Sequence, residues 1–301
     1  MITILQLTDL HLSADPAAVH HGVMPWARLA EVLEQARRGP TPDLVMVTGD
    51  ISHDAGYEVY RPCRHILGRL RAPVQVLPGN HDVPRAFAAS FPAGAVVGFA
   101  AERWLGSWRL LSLNSQIPGA VPGRLGKRQQ RWLEGALATD PQVPTVLALH
   151  HAPVSVGAPW LDAHRLVDHA ALLELLSRYP AVRAVLFGHV HQAVDQATAS
   201  GTRMIATPAV SVQFRPGSRR FSVTGAPPAL RWLRLSATGE LDTELWQPEP
   251  PVGSRLRRLG RLSWAEGARS RTGIDGPGPG QGRATRWKAR AAATGSKRDY
   301  K

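Results

Sequence analysis

The sequence predicts an α/β fold of layered sheets and helices with largely parallel strands. Three features lead there. Apolar runs of strand length recur through residue 187, amphipathic helical patterns separate several of them, and the pattern turns to paired strands after about residue 202. In chain order the buried strands are "ITILQL" (2–7), "LVMVT" (44–48), "VQVL" (74–77), "WRLLSL" (108–113), "TVLALH" (145–150) and "VRAVLF" (182–187). "WARLAEVLEQARR" sets Leu29, Val32, Leu33 and Ala36 on one helical face. "KRQQRWLEGAL" does the same with Gln130, Leu133 and Leu137 beside Trp132, and "HAALLELLSRY" with Leu172, Leu173, Leu175 and Leu176. In "YEVYRPCRHILGRL" the helical spacing falls on Tyr60, Cys63, Leu67 and Leu70. From about 202 to 246, "TRMIATPAVSVQF", "RFSVTG" and "ALRWLRLSATGELDTELW" read as antiparallel strands with turns at Gly225 and Gly239.

Composition bounds the rest. The chain has 301 residues, 44% of them hydrophobic, enough for a sizeable core. Cys63 is its only cysteine, which excludes an internal disulfide, fits a reducing compartment and reads as a buried structural thiol. The opening "MITILQLTDLHL" lacks the basic and long apolar regions of a signal peptide. No apolar run approaches the roughly 18 residues of a membrane span, so a cytoplasmic protein with no membrane partner is expected. Residues 251–301 carry 13 Lys/Arg and 3 Asp/Glu, a net of +10 out of the chain's +13, leaving about +3 for residues 1–250. "QPEPPVG", "GIDGPGPGQG" and "AAATGSKRDYK" are rich in Pro, Gly and small residues. The expected division is therefore a folded domain over 1–247 and a basic tail over 248–301, disordered except for a short helix around 254–266.

The chemistry sits after the apolar runs. "TDLHL" brings Asp9 and His11, "GDISH" brings Asp50, "PGNHD" brings Asn80, His81 and Asp82, "HHAP" brings His150 and His151, and "GHVHQ" brings His189 and His191. If the last segment is extended, residues i and i+2 share a face, and His189 and His191 present both rings to one point. Each motif alone reads as a turn, a helix cap or a surface histidine. Together, at the carboxyl ends of strands where open α/β sheets bind ligands, they deliver oxygen and imidazole donors to one place. The donors are Asp9, His11, Asp50, Asn80, His150, His189 and His191, with no thiolate among them, a set suited to Mn, Fe or Zn. Seven donors are too many for one tetrahedral ion and fit two ions that share a carboxylate.

D-x-H, G-D, G-N-H-D, H-x(2)-P and G-H-x-H in this order resemble the calcineurin-like metallophosphoesterase superfamily over about residues 1–246. "LNSQIPG", "HHAPVSVGAPWLDAHRL", "VRAVLFGHVHQ", "ATPAVSVQF" and "LRWLRL" are similar to its branch of bacterial class III 3′,5′-cyclic-AMP phosphodiesterases. The resemblance implies an α/β/β/α sandwich with mixed sheets and a dinuclear metal-dependent phosphodiesterase. In it Asp9, His11 and His191 hold one ion, Asn80, His150 and His189 the other, and Asp50 bridges. The ions are two divalent or mixed-valence ions, Fe and Mn ahead of Zn. A metal-bound hydroxide attacks phosphorus and opens cyclic AMP to 5′-AMP. Asn80 and His81 meet the phosphate, and His81 is the catalytic residue, stabilising the transition state or protonating the leaving oxygen. The first histidine of the pair is the ligand, so His151 packs or supports. Asp82 orients His81 or closes the turn, the supporting role being favoured.

For the remaining candidates packing or solvent exposure is the default. His20 and His21 border the substrate or simply lie in a loop, and His53 stands behind the ligands. His65 lies on a helix face, and His164 and His169 flank a helix start. Arg215 meets a phosphate, a dimer partner or solvent. Trp26, Trp132 and Trp232 pack rather than stack on a base. Two rival functions remain at this level: a broad phosphodiesterase for 2′,3′-cyclic nucleotides or glycerophosphodiesters, and a nucleic-acid-associated protein acting through its tail. A homodimer and sequence-independent polyanion contact through the tail complete the expected partners, beside a cyclic nucleotide as substrate.

Overall fold

A computed structural model describes residues 1–54 and 56–248. The tail assigned to 248–301, with its expected helix, lies outside the described residues from position 249 onward.

The predicted strands form where expected: β1 (Ile2–Leu7), β2 (Leu44–Thr48) and β3 (Val74–Leu77), with helices α1 (Pro25–Ala36), α2 (Tyr57–Leu67) and α3 (Pro84–Ser90) between and after them. A two-residue strand β4 (Val97–Gly98) and an edge strand β5 (Glu102–Leu105) precede β6 (Trp108–Ser112). Then come α4 (Gly126–Thr139), β7 (Thr145–Ala148), α5 (Pro159–Asp162), α6 (His169–Ser177) and β8 (Val182–Phe187). The chain closes with β9 (Val194–Ala197), β10 (Arg203–Ala206), β11 (Gln213–Phe214), β12 (Val223–Thr224), β13 (Leu230–Leu235) and β14 (Leu241–Trp246). α1, α3 and α5 each begin on a proline, whose fixed φ suits the first turn and whose missing N–H is not needed there. α4 instead takes its N-terminal cap from a distant residue. The Asp168 carboxylate accepts Leu125 N at 3.0 Å, Gly126 N at 2.8 Å and Gln130 Nε2 at 2.8 Å.

Two six-stranded mixed sheets result, ordered β14-β13-β1-β2-β3-β4 and β5-β6-β7-β8-β10-β9, with β11 and β12 as a separate hairpin. Side chains alternate along each strand, and this sorts the core into three layers. Leu5, Leu7, Val45 and Val47 face α1–α3, Leu111, Leu147 and Val185 face α4–α6, and Ile4, Met46, Leu110, Val146 and Leu186 fill the space between the sheets. This is the four-layer α/β/β/α sandwich. Polar pins cross between the sheets near the strand ends. Gln6 Nε2 donates to Phe187 O at 3.3 Å, and Thr207 Oγ1 donates to Gln6 Oε1 at 2.7 Å. Among the described residues no helix is long and apolar enough to cross a membrane.

Three sequence expectations change, and three strands are new. β10 is antiparallel only to β9 and runs parallel to β8, because residues 188–202 carry the chain back across the sheet before β10 begins. The β11–β12 hairpin turns within 215–222 and not at Gly225, whereas Gly239, at φ 85, does sit in the β13–β14 turn. Trp132 is 37% exposed, since it lies beside the buried face of α4 set by Leu133 and Leu137 and not on it. β4, β5 and β9 carried no sequence signal: the first has two residues, and the other two are edge strands with little buried surface.

Candidate metal centre

Every predicted donor lies just past the carboxyl end of a central strand, and the backbone there leaves strand geometry abruptly. Among the described residues seven non-glycine residues have positive φ, and five of them are Asp9 (53°), His11 (46°), Asp50 (51°), His189 (68°) and His191 (49°). The left-handed region costs about 1–2 kcal/mol per L-residue, so a cluster of this kind marks a functional site. It also corrects the reason given for "GHVHQ". His189 and His191 are not on an extended strand and do not converge on one point. His189 Nδ1 lies 3.0 Å from Asn80 Oδ1, while His191 Nε2 lies 3.3 Å from Asp9 Oδ1.

The donors form two groups with Asp50 between them. In the first, His11 Nε2 and His191 Nε2 are 3.2 Å apart, and His11 Nε2 is 4.0 Å from Asp9 Oδ1. In the second, Asn80 Oδ1 is 3.3 Å from His150 Nε2 and 3.0 Å from His189 Nδ1. Asp50 Oδ2 stands 3.5 Å from His11 Nε2 and 3.3 Å from His150 Nε2, in reach of both. Metal–ligand bonds of about 2.0–2.2 Å place neighbouring ligand atoms about 3.0–3.5 Å apart, which is the spacing found. Two imidazole nitrogens and a carboxylate oxygen gathered this closely repel one another unless a cation or proton lies between them. The donor set therefore fits two metal ions, one on each side of Asp50.

Backbone and hydroxyl groups aim these donors. His150 Nδ1 donates to Thr48 O at 2.8 Å and His191 Nδ1 to Val212 O at 2.6 Å, so both rings turn Nε2 toward the centre. His191 also stacks on Phe214, with ring centroids 4.0 Å apart and planes 9° apart. Asp9 Oδ2 accepts from Thr8 Oγ1 at 2.8 Å and from His189 N at 3.0 Å, which ties the first and last motifs together. Gly79 and Gly188 occupy their motifs because a Cβ at either position would collide, with Asp50 Oδ1 at one and with Thr8 Oγ1 at the other.

Asp82 does not touch the His81 ring. Its carboxylate accepts Gly79 N at 2.9 Å, Ser52 N at 3.0 Å, Ile51 N at 3.3 Å and Tyr60 Oη at 3.0 Å, so it closes its own turn and binds it to the Asp50 loop. Gln116 braces the same turn, donating to Gly79 O at 2.7 Å. His151 is fully buried with both nitrogens engaged, Nδ1 at 2.8 Å from Ser115 Oγ and Nε2 donating to Val121 O at 3.0 Å. It packs beside the centre without facing it. His81 is exposed above the centre. Its backbone N donates to Asp50 Oδ1 at 2.9 Å, its Nδ1 donates to His53 O at 3.0 Å, and its ring meets His11 edge-on at 4.7 Å. His53 lies behind His11, with 3.4 Å between the two Nδ1 atoms, and His20 packs on His53 at 4.0 Å. His21 contacts Phe221. His169 turns to Leu166 O, and Arg215 is held by Ser222 within the β11–β12 hairpin.

Electrostatics follow from burying so many ionisable groups together. Burial opposes ionisation of Asp9, but His191 and His150 outweigh it and hold the carboxyl at about 2. Asp50 is likewise held well below the usual carboxylate range, burial being overcome by His150 and His11. Burial also opposes charge on His150, yet Asp50 lifts it to about 9. His189 falls to about 3 through burial and the neighbouring His150, and His11 falls well below its ordinary value, chiefly through burial. Ionised Asp9 and Asp50 beside neutral His11 and His189 are protonation states that metal binding requires, and His150, charged beside Asp50, would give up its proton to an ion. The residues missed in the sequence are those that aim the ligands: Thr8, Gln116, Phe214 and the carbonyls of Thr48 and Val212. Phe214 lies in the quoted "VSVQF", but neither its contact with His191 nor the others' contacts leave a local signal.

Residues 2–193 match the family described as calcineurin-like phosphoesterase. The chain is 38% identical over 247 residues to the 3′,5′-cyclic adenosine monophosphate phosphodiesterase CpdA of Escherichia coli (strain K12), covering 81% of this chain and 89% of that protein. It is 35% identical over 243 residues to the protein of the same name from Pseudomonas aeruginosa, covering 80% and 88% respectively. Among solved structures, a dimetal phosphatase from Danio rerio superposes with a TM-score of 0.56 at 15% identity, covering 82% of this chain and 99% of that one, which is a likeness of fold.

Proposed function

The chain belongs to the calcineurin-like phosphoesterase family, and from that premise we propose that it hydrolyses 3′,5′-cyclic AMP to 5′-AMP. It is a metal-dependent phosphodiesterase. The observation that carries the substrate is 38% identity across 89% of a cyclic-AMP phosphodiesterase, with the other six donors of the sequence motifs gathered on either side of Asp50.

Asp9, His11 and His191 would hold one ion, Asn80, His150 and His189 the other, and Asp50 both. When bound, the ion pair supplies Lewis acidity and lowers the pKa of water at the site. Water adds to phosphorus, the bond to O3′ breaks, and O3′ takes a proton. His81 is placed to give that proton. Its Nδ1–H is held by His53 O and its main chain by Asp50, which leaves Nε2 to exchange with substrate over an open mouth. Asn80, bonded into the second group, helps seat the phosphate. Oxygen and nitrogen donors without sulfur suit Fe, Mn or Zn, and the family resemblance favours Fe or Mn, in divalent or mixed-valence pairs.

The test is product analysis with the purified full chain, reconstituted separately with Mn²⁺, Fe²⁺ and Zn²⁺. Substrates are 3′,5′-cyclic AMP, a 2′,3′-cyclic nucleotide and a glycerophosphodiester. 5′-AMP should be the dominant product, fastest with Mn²⁺ or Fe²⁺. Preference for a 2′,3′-cyclic or acyclic diester would overturn the substrate.

The site also belongs to a domain over 1–247, with a tail over 248–301 whose net +10 over residues 251–301 suits nonspecific contact with polyanions. Truncation after Trp246 should keep turnover and metal while removing most low-salt affinity for DNA, measured by titration at two salt concentrations. Cytoplasmic location and a homodimer complete this reading, the latter checked by light scattering.

A further inference from the structure

Beside the metal centre a pocket of about 670 Å³ opens against His191. Its size is within the roughly 300–1,000 Å³ of small-molecule sites. Val156, Ala193, Val194, Pro208, Phe214 and Pro216 give it apolar walls. Phe214 links pocket and centre, since it stacks on His191 and lines the pocket as well. One further lining residue stands out. Gln192, the residue after His191, is only 7% exposed, and its Nε2 is buried with no hydrogen-bond partner. A buried amide donor left unpaired costs about 1–3 kcal/mol, a cost that a ligand acceptor would recover once a turn of the side chain brings Nε2 into the pocket it lines. Gln213, its polar neighbour in the lining, differs in this respect: its Oε1 and Nε2 are both satisfied by the main chain of Ala209.

We propose that this pocket is the nucleobase subsite and that Gln192 is its specificity-determining residue, selecting adenine. The proposal rests on the cyclic-nucleotide reading of the adjoining centre. An amide side chain matches the adenine edge in both directions: Nε2 donates to N7, and the exocyclic N6 amine donates to Oε1. Guanine offers two acceptors on the same edge, N7 and O6, so its O6 would face Oε1 without a proton between them. Aromatic and aliphatic side chains cover the faces of either base, and the polar lining residues Asp195, Gln196 and Thr224 are engaged by Arg203, Ser155 O and Ala226 N, which leaves the choice to the Gln192 amide.

Gln192→Leu tests this because it keeps volume and removes a donor that is unpaired in the free protein, so stability should not suffer. The wild-type chain should favour 3′,5′-cyclic AMP over 3′,5′-cyclic GMP by about tenfold in kcat/KM, the size of one base-edge discrimination. In the variant that preference should collapse to near one. The ratio of kcat/KM for cyclic AMP to that for bis(p-nitrophenyl) phosphate, which has no base, should fall about tenfold, mostly through KM. Metal content by elemental analysis should match wild type. Binding of adenosine, which lacks phosphate, is measured alongside by calorimetry on wild type and variant. Adenosine binding that depends on Gln192 in a chain that fails to cleave cyclic AMP would sink the functional reading and leave the subsite standing. Cleavage of cyclic AMP with both ratios unmoved by Gln192→Leu would mean that water satisfies Nε2, and the subsite falls.

Discussion

Ile4, Leu5 and Leu7 in β1 and Val45, Met46 and Val47 in β2 are fully excluded from solvent, and so is Asp9, two residues past the end of β1. His150, next but one after β7, is equally buried, and Asp50, next but one after β2, is 2% exposed. The strand bodies and the strand ends therefore share an environment and differ in what burial does there. In the bodies each large apolar side chain removed from water stabilises by about 1.5–3 kcal/mol. At the ends, burial removes water from ionisable groups, and the backbone of Asp9, His11, Asp50, His189 and His191 sits at positive φ. The ends are held in this state by the bodies on one side and by cross-motif hydrogen bonds on the other, such as His189 N to Asp9 Oδ2 at 3.0 Å. Stability and chemistry are thus separated by one or two residues along each chain segment.

Asp50→Ala should expose that division most sharply. One carboxylate serves both donor groups, so its loss should remove close to both equivalents of metal and reduce turnover to background, while the strand bodies keep the chain folded. Elemental analysis after gel filtration, with circular dichroism on the same sample, checks both halves. Two tightly bound ions in the variant would reassign the bridge.

His81→Ala touches chemistry without removing a ligand. Turnover of cyclic AMP should fall about 10²–10⁴-fold with most of the metal retained. The loss should shrink for a p-nitrophenolate leaving group, which needs no proton. Equal losses on both substrates would recast His81 as an electrostatic contact to the phosphate.

Leu5→Ala reverses the pattern. It opens a cavity between β1 and the helices and should lower stability by about 2–5 kcal/mol in denaturant titration. KM and kcat of the folded fraction should stay within twofold of wild type. A large change in kcat would show that body and end are mechanically coupled, against the separation drawn above.

The smallest expected effect concerns His53, which burial and its neighbours His20 and His81 hold down at about 4. Its ordinary value is 6.5, so between about 4 and 6.5 the unfolded chain binds a proton that the folded chain does not. That difference makes stability rise with pH through this window and level off above it. Half-exposed as His53 is, the slope should be modest. His53→Gln should flatten it, as read from denaturation midpoints at half-unit pH steps. An unchanged slope would assign the dependence to the ligands themselves.

The strand bodies and the clustering of candidate donors were legible in the sequence for the same reason. Burial on both faces demands continuous apolar runs such as "LVMVT" and "VRAVLF", and the donor types that follow them have few other uses in that combination. β5 and β9 were not legible, because an edge strand with one exposed face leaves no run to read. The direction of β10 was hidden as well, since an apolar segment pairs equally well either way until its neighbours are in place.

The sequence by itself determined the six central strands, the family resemblance and a set of candidate donors, because residue type and spacing are local properties. Only the tertiary structure decided where those side chains point. His150 takes its aim from Thr48, 102 residues away, and Gln6 meets Phe187 across 181 residues. The left-handed turns that send His189 toward Asn80 and His191 toward Asp9 are unfavourable in isolation. They exist because two packed sheets bring distant strand ends together and over-determine the backbone between them.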